Sequence, residues 1–443
     1  MLLVGNGRLF TRGASPKYFQ NGAVAIQGES IIAFGSTSEL KAKYPQAEFI
    51  DAHGGLILPG YINAHSHIYS AFSRGLSIKG YNPKGFLGIL DGLWWNIDRH
   101  LSVANSAASA RAILLDCIKC GVTTFFDHHA SFGEIEGSLF ALADVAQEMG
   151  IRTALCYEVS DRDGEEKRDA SIKENAAFIQ HCMNNPSLPL RGMMGMHASF
   201  TISDETMQKC IDATPEGIGY HIHVAEGIDD QLLCLKEHGK RVVNRLHDWG
   251  ILGPNTVTGH CIHVSPAEMD LLAETDTIVI HNPESNMGNA VGCPPTLEMM
   301  AKGILCGLGT DGYTCDMLES LKVANIFHKH HRCDGTVGWA EPPQMLFENN
   351  AKITERIFGV KTGEIAEGAS ADVIVVDYDP ITPIDETNLN SHLLFGVHGH
   401  DTVTTIARGK VLMQDREVKV CDPAEVAAQA RESSAELWKR INA

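Results

Sequence analysis

From Gly60 onward the chain alternates short apolar runs, rich in β-branched residues, with longer amphipathic stretches. Such alternation builds βαβ units, whose strands pair in parallel and whose helices cover the sheet. Eight strand candidates follow one another: LILPGYINA (56–64), VTTFFD (122–127), RTALCYEV (152–159), RGMMGMHA (191–198), GYHIHVA (219–225), NTVTGHC (255–261), TIVIHN (277–282) and ILCGLGT (304–310). Helical periodicity separates most of them, as at 104–119, 139–149, 229–249 and 266–273. Eight units over roughly 280 residues predict an α/β fold, a TIM (β/α)8 barrel with insertions. The polar stretch 161–174 reads as an exposed helix or loop, and the strand rhythm stops after Thr310.

The two ends of the chain differ from the middle and resemble each other. LLVGNGRLF and GAVAIQGESIIAFG near the start, and ASADVIVVDYDP, TVTTIARGKVLMQ and REVKV near the end, are short strands with turns. Neither end can hold a core alone. The economical division is one β domain made from residues 1–56 and 363–443, beside a central barrel of residues 57–362.

Composition narrows the function. The 443 residues carry 36 Lys and Arg against 55 Asp and Glu, a formal charge of −19. Nucleic-acid binders carry a basic footprint, so no nucleic-acid partner is expected. No run reaches the ~20 apolar residues of a bilayer span, which predicts no membrane partner. MLLVGNGRLF lacks the basic start of a secretory signal, and the twelve cysteines are scattered, so reduced thiols in a cytoplasm are expected. Cys117 and Cys120 form a lone CxxC at the end of an amphipathic helix and read as buried thiols.

The 21 histidines remain, and most of the informative ones end strand candidates, where barrel active sites form. Residues two apart on a strand share a side, so His65 and His67 of NAHSH can aim at one point. His223 of HIHVAE is the expected third nitrogen ligand of a metal site. Glu226, three residues on, is placed to take a proton from a metal-bound water. Asp311, after a buried strand and beside Gly312, is costly to leave uncompensated and would be a fourth ligand. Blander readings exist for each alone: a hydrogen-bonded histidine, a helix N-terminal acid, a turn-forming aspartate. Together, in order along eight units, they describe one metal site. His260, His281 and His197 end the sixth, seventh and fourth strands. His221, His263 and the pair His128-His129 read as structural or as supports behind the metal ligands, and His328, His330 and His331 as a polar helix face or rim.

LPGYINAHSH, HIHVAEG, TGHCIH, HNPESNMG, GLGTDG and GEIAEGASADVIVVD resemble the amidohydrolase superfamily over essentially the whole chain, and MHASFTISDE resembles its deaminase and chlorohydrolase branch. Within that branch the chain is similar to aminohydrolases linked to selenium-dependent purine catabolism. The resemblance implies a barrel with a small β-sandwich built from both termini. It implies His65, His67, His223 and Asp311 as metal ligands and Glu226, His260 and Asp311 as catalytic groups. His197, His281, Ser285 and Asn286 match positions near the substrate. No lysine ends the fourth strand, which favours one divalent ion, zinc first and iron second. NAVGCPP, Tyr313-Thr314-Cys315-Asp316 and Asn349-Asn350-Ala351 depart from the family pattern.

The expected reaction is hydrolytic deamination of a purine-like or other nitrogen heterocycle by metal-bound hydroxide, with Glu226 carrying the proton. Hydrolysis of a cyclic amide or carbon–halogen bond at the same metal is the nearest alternative. A non-enzymatic metal- or selenium-linked accessory protein is the other; Glu226 has no place in a storage site. The partner is a small heterocyclic substrate, and a homo-oligomer stays open.

Overall fold

The structure, a computed structural model, describes residues 1–443. Its N-terminal segment supplies β1 (Leu2–Phe10), β2 (Tyr18–Gln27), β3 (Ser30–Ser36), β4 (Glu48–Asp51) and β5 (Leu56–Pro59). The middle supplies β6 (Tyr61–Ser66), β7 (Val122–His129), β8 (Arg152–Tyr157), β9 (Leu190–Gly192), β10 (Met194–Ala198), β11 (Tyr220–Val224), β12 (Val257–His260), β13 (Ile278–His281) and β14 (Cys306–Leu308). The C-terminal segment adds β15 (Val373–Val376), β16 (Thr402–Ala407), β17 (Lys410–Gln414) and β18 (Glu417–Val418).

Strands from both ends share one nine-stranded sheet, ordered β18-β17-β16-β15-β5-β1-β2-β3, with β4 on β1. The turn at Gly28 meets the turn at Gly409, and Arg408 pairs with Glu29. Those turns sit five places apart in the strand order, so the sheet curls over its own apolar cluster of Val4, Val24, Ile26, Val373, Val375 and Ile406.

The middle strands form two parallel sheets, β6-β7-β8-β9 and β10-β11-β12-β13-β14, an α/β arrangement. No regular ladder closes one sheet onto the other. Isolated parallel bridges join them at both edges, Val159 to Met196 and Ser66 to Asp311. At the second edge the N–H groups of Thr310 and Asp311 both donate to the carbonyl of His65 at 3.0 Å. Residues of both sheets, including Ile62, Phe126, Ala154, Met193, Val257 and Ile280, meet in one enclosed apolar cluster.

Two expected strands are each divided. The run 56–64 splits at Gly60, with Leu56–Pro59 antiparallel to β15 and Tyr61–Ser66 parallel to β7. Gly60 lies so close to Thr123 that a Cβ would stand 2.4 Å from its side chain, so the crossing between the two β systems needs glycine. The chain therefore passes from one sheet to the other at Gly60. The run 191–198 breaks at Met193, whose N–H donates to Leu155 while its neighbours pair with different sheets.

The helices cover the outer faces. The stretch 229–249 is two helices, Ile228–His238 and Val242–Asp248, because Gly239 caps the first in the left-handed region (φ 64°). The polar stretch 161–174 enters the helix Glu165–Asn184, which buries Ile172, Phe178 and Ile179. No single helix is long and apolar enough to cross a membrane.

Candidate active site

The C-terminal ends of β6, β11, β12 and β14 converge on one point. The period of two along β6 brings the His65 and His67 rings within 5.1 Å of each other, and β11 brings His223 within 5.2 Å of both. Nδ1 of His67 donates to the carbonyl of His128 (2.6 Å) and Nδ1 of His223 to that of His197 (3.0 Å). Both Nε2 atoms therefore carry bare lone pairs, yet they face each other at 3.2 Å. Nε2 of His65 is buried with no hydrogen-bond partner. Asp311 brings Oδ1 to 3.3 Å from His67 Nε2.

Acceptors so packed repel one another unless a cation lies among them. Burial, together with neighbouring imidazoles, holds His65 and His223 well below the usual histidine range, and burial lowers His67 as well. Neutral imidazoles are the metal-binding form. Three of them with a carboxylate fit a divalent metal ion.

A buried imidazole–carboxyl pair adjoins this cluster. Asn286 Oδ1 accepts from His260 Nδ1 at 2.8 Å, which aims Nε2 at Asp311 Oδ2 (3.3 Å) and Glu226 Oε2 (3.5 Å). The other Glu226 oxygen accepts from Asn289 Nδ2 at 3.3 Å. Burial pushes the Glu226 carboxyl up to about 7, with His260 opposing and Asp311 adding to the rise. The backbone is strained around these groups. Ala225, His260, Cys261 and Asp311 all have positive φ (47–69°), a region that costs non-glycine residues about 1–3 kcal/mol each.

A cavity opens between this cluster and an apolar wall of Tyr69, Leu90, Trp94 and Trp95. The wall comes from the turns after β6 and from a segment whose middle, Leu90–Trp94, is a single π turn. Of the residues expected near substrate, His197 lines the cavity and is held by Thr201 Oγ1 at 2.7 Å. His281, Ser285 and Asn286 do not line it. His281 packs behind, 5.0 Å from the His328 ring, and Ser285 accepts from Asn289.

The sequence does not mark Glu158 or Asn289 for the site, and it offers His221 and His128 only as structural or supporting groups. Glu158, just beyond β8, and Asn289 line the cavity. His221 reaches His65 Nδ1 with its Nε2 at 2.8 Å, and His128 lies buried with its ring 4.5 Å from His223. His328, expected on a polar rim, is buried, whereas His330 and His331 are exposed. The doubled histidine at 128–129 was the one available signal for His128. Glu158 and the tryptophans carry no spacing that marks them.

Comparison with known proteins agrees with this geometry. A family profile described as amidohydrolase family matches residues 56–412, and a bacterial imidazolonepropionase-like composite domain matches residues 22–47. A 5'-deoxyadenosine deaminase of Methanosarcina mazei is 30% identical over 449 residues, covering 100% of this chain and 99% of that protein. The crystal structure of an adenosine deaminase from Xanthomonas campestris, with bound zinc, superposes with a TM-score of 0.86 at 20% identity over 99% of this chain and 98% of that one. A zinc-complexed atrazine chlorohydrolase from Arthrobacter aurescens gives 0.81 at 19% identity, over 98% and 100%. With the profile spanning most of its length and the strand-end histidines in place, the chain belongs to the amidohydrolase family.

Proposed function

We propose that this chain is a metal-dependent aminohydrolase that deaminates a purine-like heterocycle. Its two parallel sheets act as one TIM barrel, beside a composite β domain from both termini. The observation that carries the reading is the meeting of His65, His67, His223 and Asp311 with the Glu226–His260 pair.

One divalent ion, zinc by preference, would be held by His65, His67, His223 and Asp311; when bound, it supplies a Lewis acid and an acidified water. Glu226 accepts a proton at one oxygen and returns it to a ring nitrogen, a task suited to a carboxyl near 7. Asn289 fixes the other oxygen, so the shuttle works through one atom. His260, oriented by Asn286, stabilises charge that develops at the attacked carbon. Tyr69, Trp94 and Trp95 offer a planar ring an apolar surface and keep bulk water out.

The likeness to a 5'-deoxyadenosine deaminase places adenine nucleosides first among substrates to be tried. Metal analysis followed by an ammonia-release screen of purines, adenine nucleosides and pyrimidines tests the reading. Ammonia from an amino-substituted ring, dependent on zinc, is the expected result. Turnover without ammonia moves the assignment to carbon–halogen or cyclic-amide hydrolysis, and no turnover across the panel overturns it.

A further inference from the structure

Glu158 is a carboxylate in the cavity wall to which the proposed reaction gives no role. It is 3% exposed, follows β8, and lines the cavity with His197 and Trp95. Arg162 Nη2 holds Oε1 at 3.1 Å and shares itself with Asp98 Oδ2 at 2.6 Å. The guanidinium is clamped between Trp95 (5.0 Å) and Phe132 (4.2 Å), so neither its charge nor its direction is free to change. Asp163 pairs with Arg99 Nε at 2.8 Å and also stands 3.8 Å from Arg162 Nε.

Arg162 therefore serves Glu158, Asp98 and, at 3.8 Å, Asp163, and one guanidinium cannot satisfy all three carboxyl groups. Oε2 of Glu158 has no hydrogen-bond partner, and His128 Nδ1 stands 3.7 Å from it. Burial pushes Glu158 up to about 8, against the pull of Arg162. Glu226 and Asp311 line the same cavity, so its wall holds three carboxyl groups and no lysine or arginine.

We propose that Glu158 is a specificity-determining residue whose free Oε2 accepts a hydrogen bond from an N–H or O–H group on the part of the substrate remote from the reacting carbon. The site then takes neutral or cationic heterocycles that carry such a donor and turns away those with an anionic substituent. This rests on the hydrolase reading above and adds the substrate class to it. The competing use of Glu158 is as ligand to a second ion, with His128 and His223. His223 has no lone pair to spare, since Nδ1 donates to His197 and Nε2 faces His67. A second ion would have two ligands only.

The test uses the full-length zinc-loaded protein and four adenines that differ at N9: 2-aminoethyl, 2-hydroxyethyl, ethyl and carboxymethyl. Both kcat/KM for ammonia release and Kd are measured, the latter on the matching hypoxanthines where turnover is fast. The wild type is expected to prefer the aminoethyl and hydroxyethyl compounds over the ethyl compound by about 10- to 100-fold, and to handle the carboxymethyl compound worst. Glu158→Gln is expected to compress the range between ammonium and carboxylate by about tenfold or more, with zinc per chain unchanged.

A flat series in the wild type overturns the proposal without any variant being needed, and so does a series that Glu158→Gln leaves intact. Zinc at two per chain, falling to one in Glu158→Gln, gives the residue to a metal instead. Ordered binding without ammonia sinks deamination while the role of Glu158 stands. Ammonia without the order does the reverse, and neither binding nor turnover sinks both.

Discussion

In the proposed reaction Glu226 carries the proton, and it is buried beside His260 and Asp311 and steadied by Asn289. Glu226→Gln keeps its shape and hydrogen bonds but cannot take a proton. It should lower kcat by about 10²–10⁴-fold while zinc per chain stays as in the wild type. Full activity, or loss of zinc, would show that the carboxylate does something else. Glu284 offers a stability test away from this chemistry. Both its oxygens are buried without partners, and burial pushes it up to about 8. The folded state then holds a proton that the unfolded chain has lost above about 4.3, so stability falls as pH rises from about 4.3 to 8. Glu284→Gln should flatten that slope, read as a smaller drop in Tm between pH 6 and pH 8.5. The histidines and Asp311 were legible in the sequence because strand periodicity and strand ends fix where they point. Glu158, Trp94 and Asn289 were not, because they reach the cavity from connections whose course depends on the whole packed structure. His281 ended a strand as expected, yet it packs against His328 and not into the cavity.

At the scale of elements, the joint between β6 and β14 decides whether the site exists at all. One isolated bridge and two N–H groups on one carbonyl make a thin seam. Asn350 reinforces it. Its Nδ2 donates to the carbonyls of Ile62 and Leu308, each at 2.8 Å, and its Oδ1 accepts from Leu308 N–H at 2.9 Å. Asn349 Nδ2 adds a bond to Cys306 O at 2.7 Å. Here the departure of Asn349-Asn350-Ala351 from the family pattern has a structural meaning. Asn350→Ala should lose about 2–4 kcal/mol, since it strands buried groups on two strands, and denaturant unfolding would measure it. A loss under 1 kcal/mol would mean the seam is held elsewhere. The order of the parallel strands was readable from apolar runs. Their divisions at Gly60 and Met193 were not, because an unbroken apolar run does not record which sheet receives each half.

Across the whole molecule, the two β systems are tied at the end of the strands remote from the site. Arg152, at the start of β8, donates to Asp372 (2.8 Å), Ser370 (2.8 Å) and Thr124 (2.9 Å), and Asp372 also receives the N–H of Arg408. Both partners are almost wholly buried. Asp372→Ala leaves a buried guanidinium unpaired and should cost about 3–5 kcal/mol, with zinc content and kcat preserved below the transition. Partial recovery in an Arg152→Met, Asp372→Leu double variant would separate the lost pair from lost packing. That both termini join one sheet was visible in their shared pattern of short strands and turns. The tie itself was not, because Arg152 and Asp372 are 220 positions apart. The same sheet bears on how the chain is made. β5 lies between β1 and β15, so a growing chain must extend more than 300 residues past Pro59 before Val373 arrives to cover that edge. During synthesis the N-terminal strands form a sheet with one side open to pairing with other nascent chains. The interval between making the first strand and sealing it is therefore the stage of the protein's life most exposed to aggregation.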